Sequence, residues 1–164
     1  MTNLIKVARL LVSPGKGILA ADESHPTIAK RFQSIGITST EEVRRDYREM
    51  LFRTKSLGEY ITGVILFDET LHQNTADGTP LKELLLSQGI IPGIKVDRGA
   101  KPLAGFPGEK ITEGLDGLRE RFKDYASHGA QFSKWRAVLT ISETTPTPFC
   151  LQANAHALAR FAAL

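Results

Sequence analysis

Short runs of consecutive apolar residues alternate along this chain with stretches in which apolar positions return every three or four residues. Gly17-Ile-Leu-Ala-Ala-Asp22 is one such run and ends on a carboxylate; Thr62-Gly-Val-Ile-Leu-Phe67 and Ile90-Ile-Pro-Gly-Ile-Lys-Val-Asp97 are two more. Runs without polar alternation belong to strands covered on both faces, as in parallel sheets. A fourth strand is predicted over residues 131–139. Between the strands, Pro26 opens a helix that places Ile28, Ala29 and Phe32 on one face and closes at Gly36. Ser39-Thr-Glu-Glu42 matches a capping box, and Val43, Tyr47, Met50 and Leu51 continue from it at helical spacing. Thr79-Pro80 starts a helix with Leu81, Leu84 and Leu85 that Gly89 stops, and residues 117–128 form another with Leu118, Phe122 and Tyr125. Pro146 and Pro148 precede a last helix over 150–164, and Leu4, Ile5, Val7, Ala8, Leu11 and Val12 predict a first one covering the end of a domain. The pattern carries no hairpin signals, internal repeat or linker. It predicts an α/β fold of parallel β/α units, as one domain over 1–164.

Strand starts near 17, 62, 90 and 131 average about 38 residues per β/α unit, so eight units would need roughly 300 residues, the scale of a closed (β/α)8 barrel. Four are present. The sequence also ends within its last predicted helix, without a capping residue after it. Two architectures remain open on spacing alone: a four-stranded open sheet, or half of a barrel.

Composition narrows the function classes. A hydrophobic fraction of 41% and a charged fraction of 24% describe an ordinary globular chain, and no stretch is apolar for long enough to span a bilayer. The net charge is only +3, with the charges interspersed and aromatics at 7%, so neither nucleic acid nor a membrane is expected as a partner. Cys150 is the single cysteine, which excludes an internal disulfide and points to a reducing cytoplasm. It is read as a packed thiol whose place at a helix start tends to lower its pKa modestly. His25, His72, His128 and His156 are scattered with no HExxH and no cysteine pair, so no metal is expected, and His25 reads as a surface residue. Pro14-Gly-Lys-Gly17 has the wrong spacing for a phosphate-binding P-loop.

Charge inside apolar strands is the anomaly, because burying it unpaired costs several kcal/mol, roughly 3–5 when one partner of a buried pair is lost. Asp22 ends the first strand, Lys95 and Asp97 share a face of the third, and Lys134 and Arg136 share a face of the fourth, with Trp135 on the opposite face. An internal ion-pair cluster without chemistry is one reading. The other is a site: two lysines beside an arginine lower each other's pKa and release a nucleophilic amine, a carboxylate handles protons, and the cations attract phosphate. Imine or aldol chemistry on a sugar phosphate fits that set.

Several motifs then carry a resemblance. The first run with Glu23-Ser24 and Ile28-Ala-Lys-Arg31, Gly63-Val-Ile-Leu-Phe67 with Glu69-Thr-Leu71, Gly93-Ile-Lys-Val-Asp97, Leu103-Ala-Gly105, Gly114-Leu-Asp-Gly-Leu118, Lys134-Trp-Arg136 and Ala153-Asn-Ala-His-Ala-Leu-Ala-Arg160 resemble class I fructose-1,6-bisphosphate aldolase, in order and at that family's spacings. The resemblance implies the first half of a (β/α)8 barrel, strands one to four, and a glycolytic lyase that cleaves fructose 1,6-bisphosphate to two triose phosphates through a lysine Schiff base, with no cofactor and no metal. It implies that Asp22 assists carbon–carbon cleavage, Lys134 assists imine formation, Lys95 is their active-site neighbour, and Arg136 lies beside them. Ser24, Thr27 and Arg31 fall where the family binds the substrate near one phosphate, and Arg44 is a further candidate at that end; family members often carry serine where Thr27 stands. The family's Schiff-base lysine lies on strand six and its glutamates on strand five. The resemblance therefore implies that these 164 residues hold the supporting half of a site, are inactive alone, and self-associate through exposed barrel edges, the full-length family being tetrameric.

Overall fold

The computed structural model describes residues 4–164. In chain order the elements are α1 (Leu4–Leu11), β1 (Gly17–Ala21), α2 (His25–Gln33), α3 (Glu41–Phe52), α4 (Leu57–Tyr60), β2 (Ile61–Leu66), α5 (Asp68–His72), α6 (Leu81–Leu86), β3 (Ile91–Lys95), β4 (Ala100–Pro102), β5 (Lys110–Thr112), α7 (Leu118–Ser127), β6 (Phe132–Lys134) and α8 (Pro148–Ala163). Four strands form one sheet in the order β1-β2-β3-β6. The pairing is parallel, with Ala21 opposite Leu66 and Leu66 opposite Ile94. Each crossover between these strands contains a helix, as parallel connections require. Two compact units make up the chain: Met1–Lys95 with Tyr125–Ser133, and Val96–Asp124 with Lys134–Leu164, the boundary passing through α7 and β6.

In the first unit the apolar runs are buried as their pattern demands. Val64, Leu66, Leu81, Leu85, Ile28 and Phe52 are closed to solvent. Burying each such side chain stabilises the fold by about 1.5–3 kcal/mol. Gly63 and Gly93 are bare for a reason. A Cβ on Gly93 would stand 2.3 Å from the Phe132 ring and one on Gly63 3.1 Å from it, so the two glycines make the space that Phe132 fills. Thr62, within β2, donates its hydroxyl to the Leu11 and Gly17 carbonyls, fixing the ends of α1 and β1.

The second unit is built differently. Antiparallel β4 and β5 pair Ala100 with Thr112 and Pro102 with Lys110, in a stretch where the sequence showed no hairpin signal. Three-residue strands leave no periodicity to detect, so the expected absence of hairpin-like pairing is corrected here. Cys150, Asn154 and Ala157 form the buried stripe of α8, and the Asn154 amide donates to the Lys110 carbonyl. Trp135 stacks on Phe161 at 5.4 Å, the packing role expected of it. Glu109 is buried and accepts from the Thr147 N–H and hydroxyl at 2.7 and 2.6 Å. Burial pushes its carboxyl up and those two bonds more than reverse the push, leaving its pKa below the ordinary value.

Three local expectations change. The N-cap of α3 is Thr40, whose hydroxyl accepts from Val43 N–H at 3.2 Å, so the box beginning at Ser39 does not form. Met50 is 61% exposed, whereas Arg48 on the same helix is closed to solvent. The fourth strand is three residues long and stops at Lys134, so Arg136 lies beyond it and is exposed rather than sharing a strand face with Lys134.

Candidate active site

Three charged residues singled out in the sequence stand at the C-terminal ends of parallel strands. Asp22 follows β1 directly, Lys95 is the last residue of β3, and Lys134 the last of β6. In open and closed parallel sheets this is the end at which side chains from different strands are presented to ligands.

The β1 end is braced by a guanidinium closed to solvent. Asp22 and Glu23 are both buried. Arg48 reaches them from α3: its Nε donates to the Ala21 carbonyl at 3.2 Å and its Nη2 to the Glu23 carbonyl at 2.8 Å. One guanidinium thus fixes the backbone on either side of Asp22. Its Nη2 also lies 3.7 Å from a Glu23 carboxylate oxygen, and Arg31 donates to the other. Burial lowers the Arg48 pKa and the Glu23 charge offsets part of that fall; a guanidinium nevertheless remains charged at neutral pH.

Ser24 stands at the N-cap position of α2 without a side-chain bond to a backbone N–H, and its hydroxyl lies 3.1 Å from that of Thr27 in the first turn. Hydroxyls and backbone N–H groups at a helix start face the positive end of the helix dipole. Asp22, Ser24, Thr27 and Arg31 are therefore gathered on one strand-to-helix turn. Arg44 is engaged elsewhere: its Nε and Nη2 form a fork on Glu69 at 2.8 and 2.6 Å, and Nη1 reaches the Ser39 carbonyl at 3.3 Å. The hydrogen bond to Glu69 raises the Arg44 pKa. Burial pushes Glu69 up, but Arg44 and His25 more than reverse it, and its pKa lies below the ordinary value. His25 is exposed but not idle, with Nε2 at 2.8 Å from Glu69 and its ring edge-on to Phe67.

In the second unit, Asp97 is buried and accepts from the Gly99 N–H at 3.1 Å. The Lys134 carbonyl accepts from Val96 N–H at 3.1 Å, and the Arg136 carbonyl accepts from the Thr112 hydroxyl at 2.6 Å. Arg121 donates to the Val96 carbonyl at 2.9 Å and to that of Gly114. Cys150 is buried, and that burial, with the nearby Glu109 carboxylate, pushes its thiol pKa up. The expected modest lowering at the helix start is thereby overturned, because desolvation of a thiolate outweighs the helix dipole.

Sequence reasoning missed Arg48, Glu23 and Glu69. One signal existed for Arg48: it lies four residues before Phe52, on the stripe that a helical projection buries.

Residues 3–164 match the family described as "Glycolytic: Fructose-bisphosphate aldolase class-I". The chain belongs to the class I fructose-bisphosphate aldolase family. It is 60% identical over 162 residues to a probable fructose-bisphosphate aldolase class 1 of Xanthomonas campestris pv. campestris, a match covering 99% of this chain and 48% of that protein. Fructose-bisphosphate aldolase 1 of Toxoplasma gondii is 55% identical over 164 residues, with 99% and 45% covered. A solved structure of the Plasmodium falciparum aldolase, in complex with TRAP and a small-molecule inhibitor, superposes with a TM-score of 0.94 at 50% identity, covering 97% of this chain and 46% of that one. The chain therefore spans about half the length of the aldolases it matches. The α/β fold with a parallel four-stranded sheet agrees with the sequence reading, and among its two architectures the aldolase match selects the barrel-type one.

Proposed function

We propose that this aldolase-family chain serves the reversible cleavage of fructose 1,6-bisphosphate to dihydroxyacetone phosphate and glyceraldehyde 3-phosphate, in the cytoplasm, as one partial barrel domain that supplies half of the site. The supporting observation is the placement of Asp22, Lys95 and Lys134 at the C-terminal ends of three parallel strands. In this reading Asp22, held on both sides by Arg48, assists carbon–carbon cleavage. Lys134 assists imine formation, with Lys95 and Arg136 as cationic neighbours. Ser24, Thr27 and Arg31 bind one phosphate at the start of α2, where dipole and hydroxyls favour an anion. Arg44 can join them only by leaving Glu69.

The family places its imine-forming lysine on a sixth strand and its proton-transferring glutamates on a fifth, and the sheet described here has four. These residues alone therefore bind the sugar bisphosphate without turning it over. A second reading, a non-catalytic half-barrel that holds sugar phosphates or a complementary chain, draws on the roughly half-length coverage of the relatives. β1 and β6 end the sheet, and Ile18 on β1 is 44% exposed, which favours self-association through unpaired edges; with the full chain we expect a tetramer.

Borohydride trapping with fructose 1,6-bisphosphate, read as intact mass, tests the proposal. We expect no adduct, with weak salt-sensitive binding that Arg31→Ala removes. A stoichiometric adduct lost in Lys95→Ala or Lys134→Ala would give these residues an imine-forming lysine of their own. Absence of any binding would overturn the phosphate assignment.

A further inference from the structure

Arg31 belongs to the candidate site, but the residues around it at the end of α2 do not. Lys30-Arg31-Phe32-Gln33-Ser34 places two cations four and three residues before a serine, and Ile35 follows. Lys30, Arg31, Ser34 and Ile35 are all exposed, while Phe32 among them packs inward. Ser34 is the C-cap of α2, and its hydroxyl donates to the Arg31 carbonyl at 2.7 Å. Every position from Gln33 to Thr38 is exposed, so the serine stands on an open helix end. Arg31 itself turns the other way. Helical side chains lean toward the N-terminus, and its guanidinium reaches back to the Glu23 carboxylate ahead of α2. That contact can be given up without stranding a buried charge, because Arg48 Nη2 lies 3.7 Å from the other Glu23 oxygen.

We propose that Ser34 is a phosphorylation site for a protein kinase that selects arginine three residues before its target, and that the phosphate draws Arg31 away from the anion site at the start of α2. Kinases read the charge pattern around a serine, and here the cations, the hydroxyl and the apolar residue after it all lie at the surface. In the transfer, the Ser34 oxygen bonds to the γ-phosphorus of ATP while the bond from that phosphorus to the β–γ bridging oxygen breaks. ADP leaves with that electron pair, and the hydroxyl proton passes to the kinase's base. The product carries about −1.5 to −2 charge at neutral pH. It stands three residues from Arg31 and four from Lys30, spacings at which helical side chains meet, and a guanidinium takes phosphate as a fork. Arg31 then has two alternative positions: toward Glu23 and the substrate phosphate when Ser34 is unmodified, toward the helix end when it is phosphorylated. This coupling rests on Arg31 holding a substrate phosphate, as proposed above. Ser56 follows Arg53 at the same spacing, but Glu49 and Asp77 both hold Arg53, and Ser56 stands in the left-handed region at φ 61°.

Incubation of the 164-residue chain with ATP and the catalytic domain of a calmodulin-dependent protein kinase, followed by peptide mapping, tests the site. We expect one phosphoryl group, on Ser34, and none in Ser34→Ala. Calorimetry with fructose 1,6-bisphosphate tests the coupling. The phosphorylated chain should bind at least about tenfold more weakly, the loss of one charged hydrogen bond, while Ser34→Ala binds like the parent. The Nε–H resonance of Arg31 reads the switch without any substrate and should move on phosphorylation. A parent that binds no sugar bisphosphate would remove the site reading alone, and the Arg31 resonance would still decide whether the phosphate captures Arg31. No phosphate on Ser34, an unmoved Arg31 resonance, or binding unchanged by the modification would overturn the proposal.

Discussion

The chain after β1 and the chain after β6 each follow a strand whose C-terminal end carries a charged residue, and they are held by quite different means. After β1, a guanidinium closed to solvent donates to the two carbonyls flanking Asp22 and faces the Glu23 carboxylate. After β6, the strand stops at Lys134, and the backbone two residues on is tied by one hydroxyl, from Thr112 to the Arg136 carbonyl. A desolvated cation with backbone acceptors fixes geometry at high stakes, since its removal strands its partners. A neutral bond such as that from Thr112 holds position at little cost and little gain.

The largest effect expected from this contrast is that of Arg48→Met. Methionine keeps much of the stem's volume but leaves two buried carbonyls and the Glu23 carboxylate without this donor. A loss of about 3–5 kcal/mol follows, a large share of the roughly 5–15 kcal/mol by which domains are stable. Urea unfolding measures it. A midpoint unchanged from the parent would show that the β1 end does not depend on its guanidinium, and the contrast would fail.

The fold was legible where burial follows hydrophobicity. The three apolar runs became β1, β2 and β3, and Ile28, Phe32, Leu81 and Leu85 turned inward as their spacing predicts. Asp22, Lys95 and Lys134 stood out because charge at the end of an apolar run has few structural uses. What stayed hidden was made by tertiary contact. Arg48 is buried because the carbonyls of Ala21 and Glu23 come to it from outside its own helix, and Met50 is exposed because α3 turns its guanidinium face, not its thioether, to the sheet. The pairing of β4 with β5 and the early end of β6 were hidden for another reason: three residues carry too few side chains to display a period of two. Arg44 looked like a free cation for phosphate, and only the fold supplies Glu69, 25 residues on, to occupy its fork.

That pair offers an intermediate test within the first unit. Glu69→Gln removes the charge while keeping an acceptor, and we expect a loss of about 2 kcal/mol at neutral pH, typical for hydrogen bonds to a charged group. The pH dependence is more telling than the size. The folded pKa of Glu69 lies below its unfolded value, so its contribution is complete above the ordinary carboxylate range near 4.5 and is lost as pH falls through the folded value. Stability of the parent should therefore fall more steeply than that of Glu69→Gln as acid is added from about pH 5.5 downward. Parallel acid profiles would mean that the fork on Glu69 contributes no charge-dependent stability.

The smallest effect is expected at the β6 side, from Thr112→Val. Valine matches the shape of the buried threonine, so packing is kept and only the bond to the Arg136 carbonyl disappears. Arg136 is exposed, and water can take over as donor to its carbonyl, which limits the loss to about 0.5–1 kcal/mol. Global unfolding will scarcely resolve such a change, but amide exchange will. Protection should drop around residues 134–138 while the amides of β1 and α3 keep theirs, because the lost bond restrains only its own stretch of backbone. Equal loosening at β1 would mean that the two strand ends share one cooperative unit, and that the separate bracing seen at each is not what sets their rigidity.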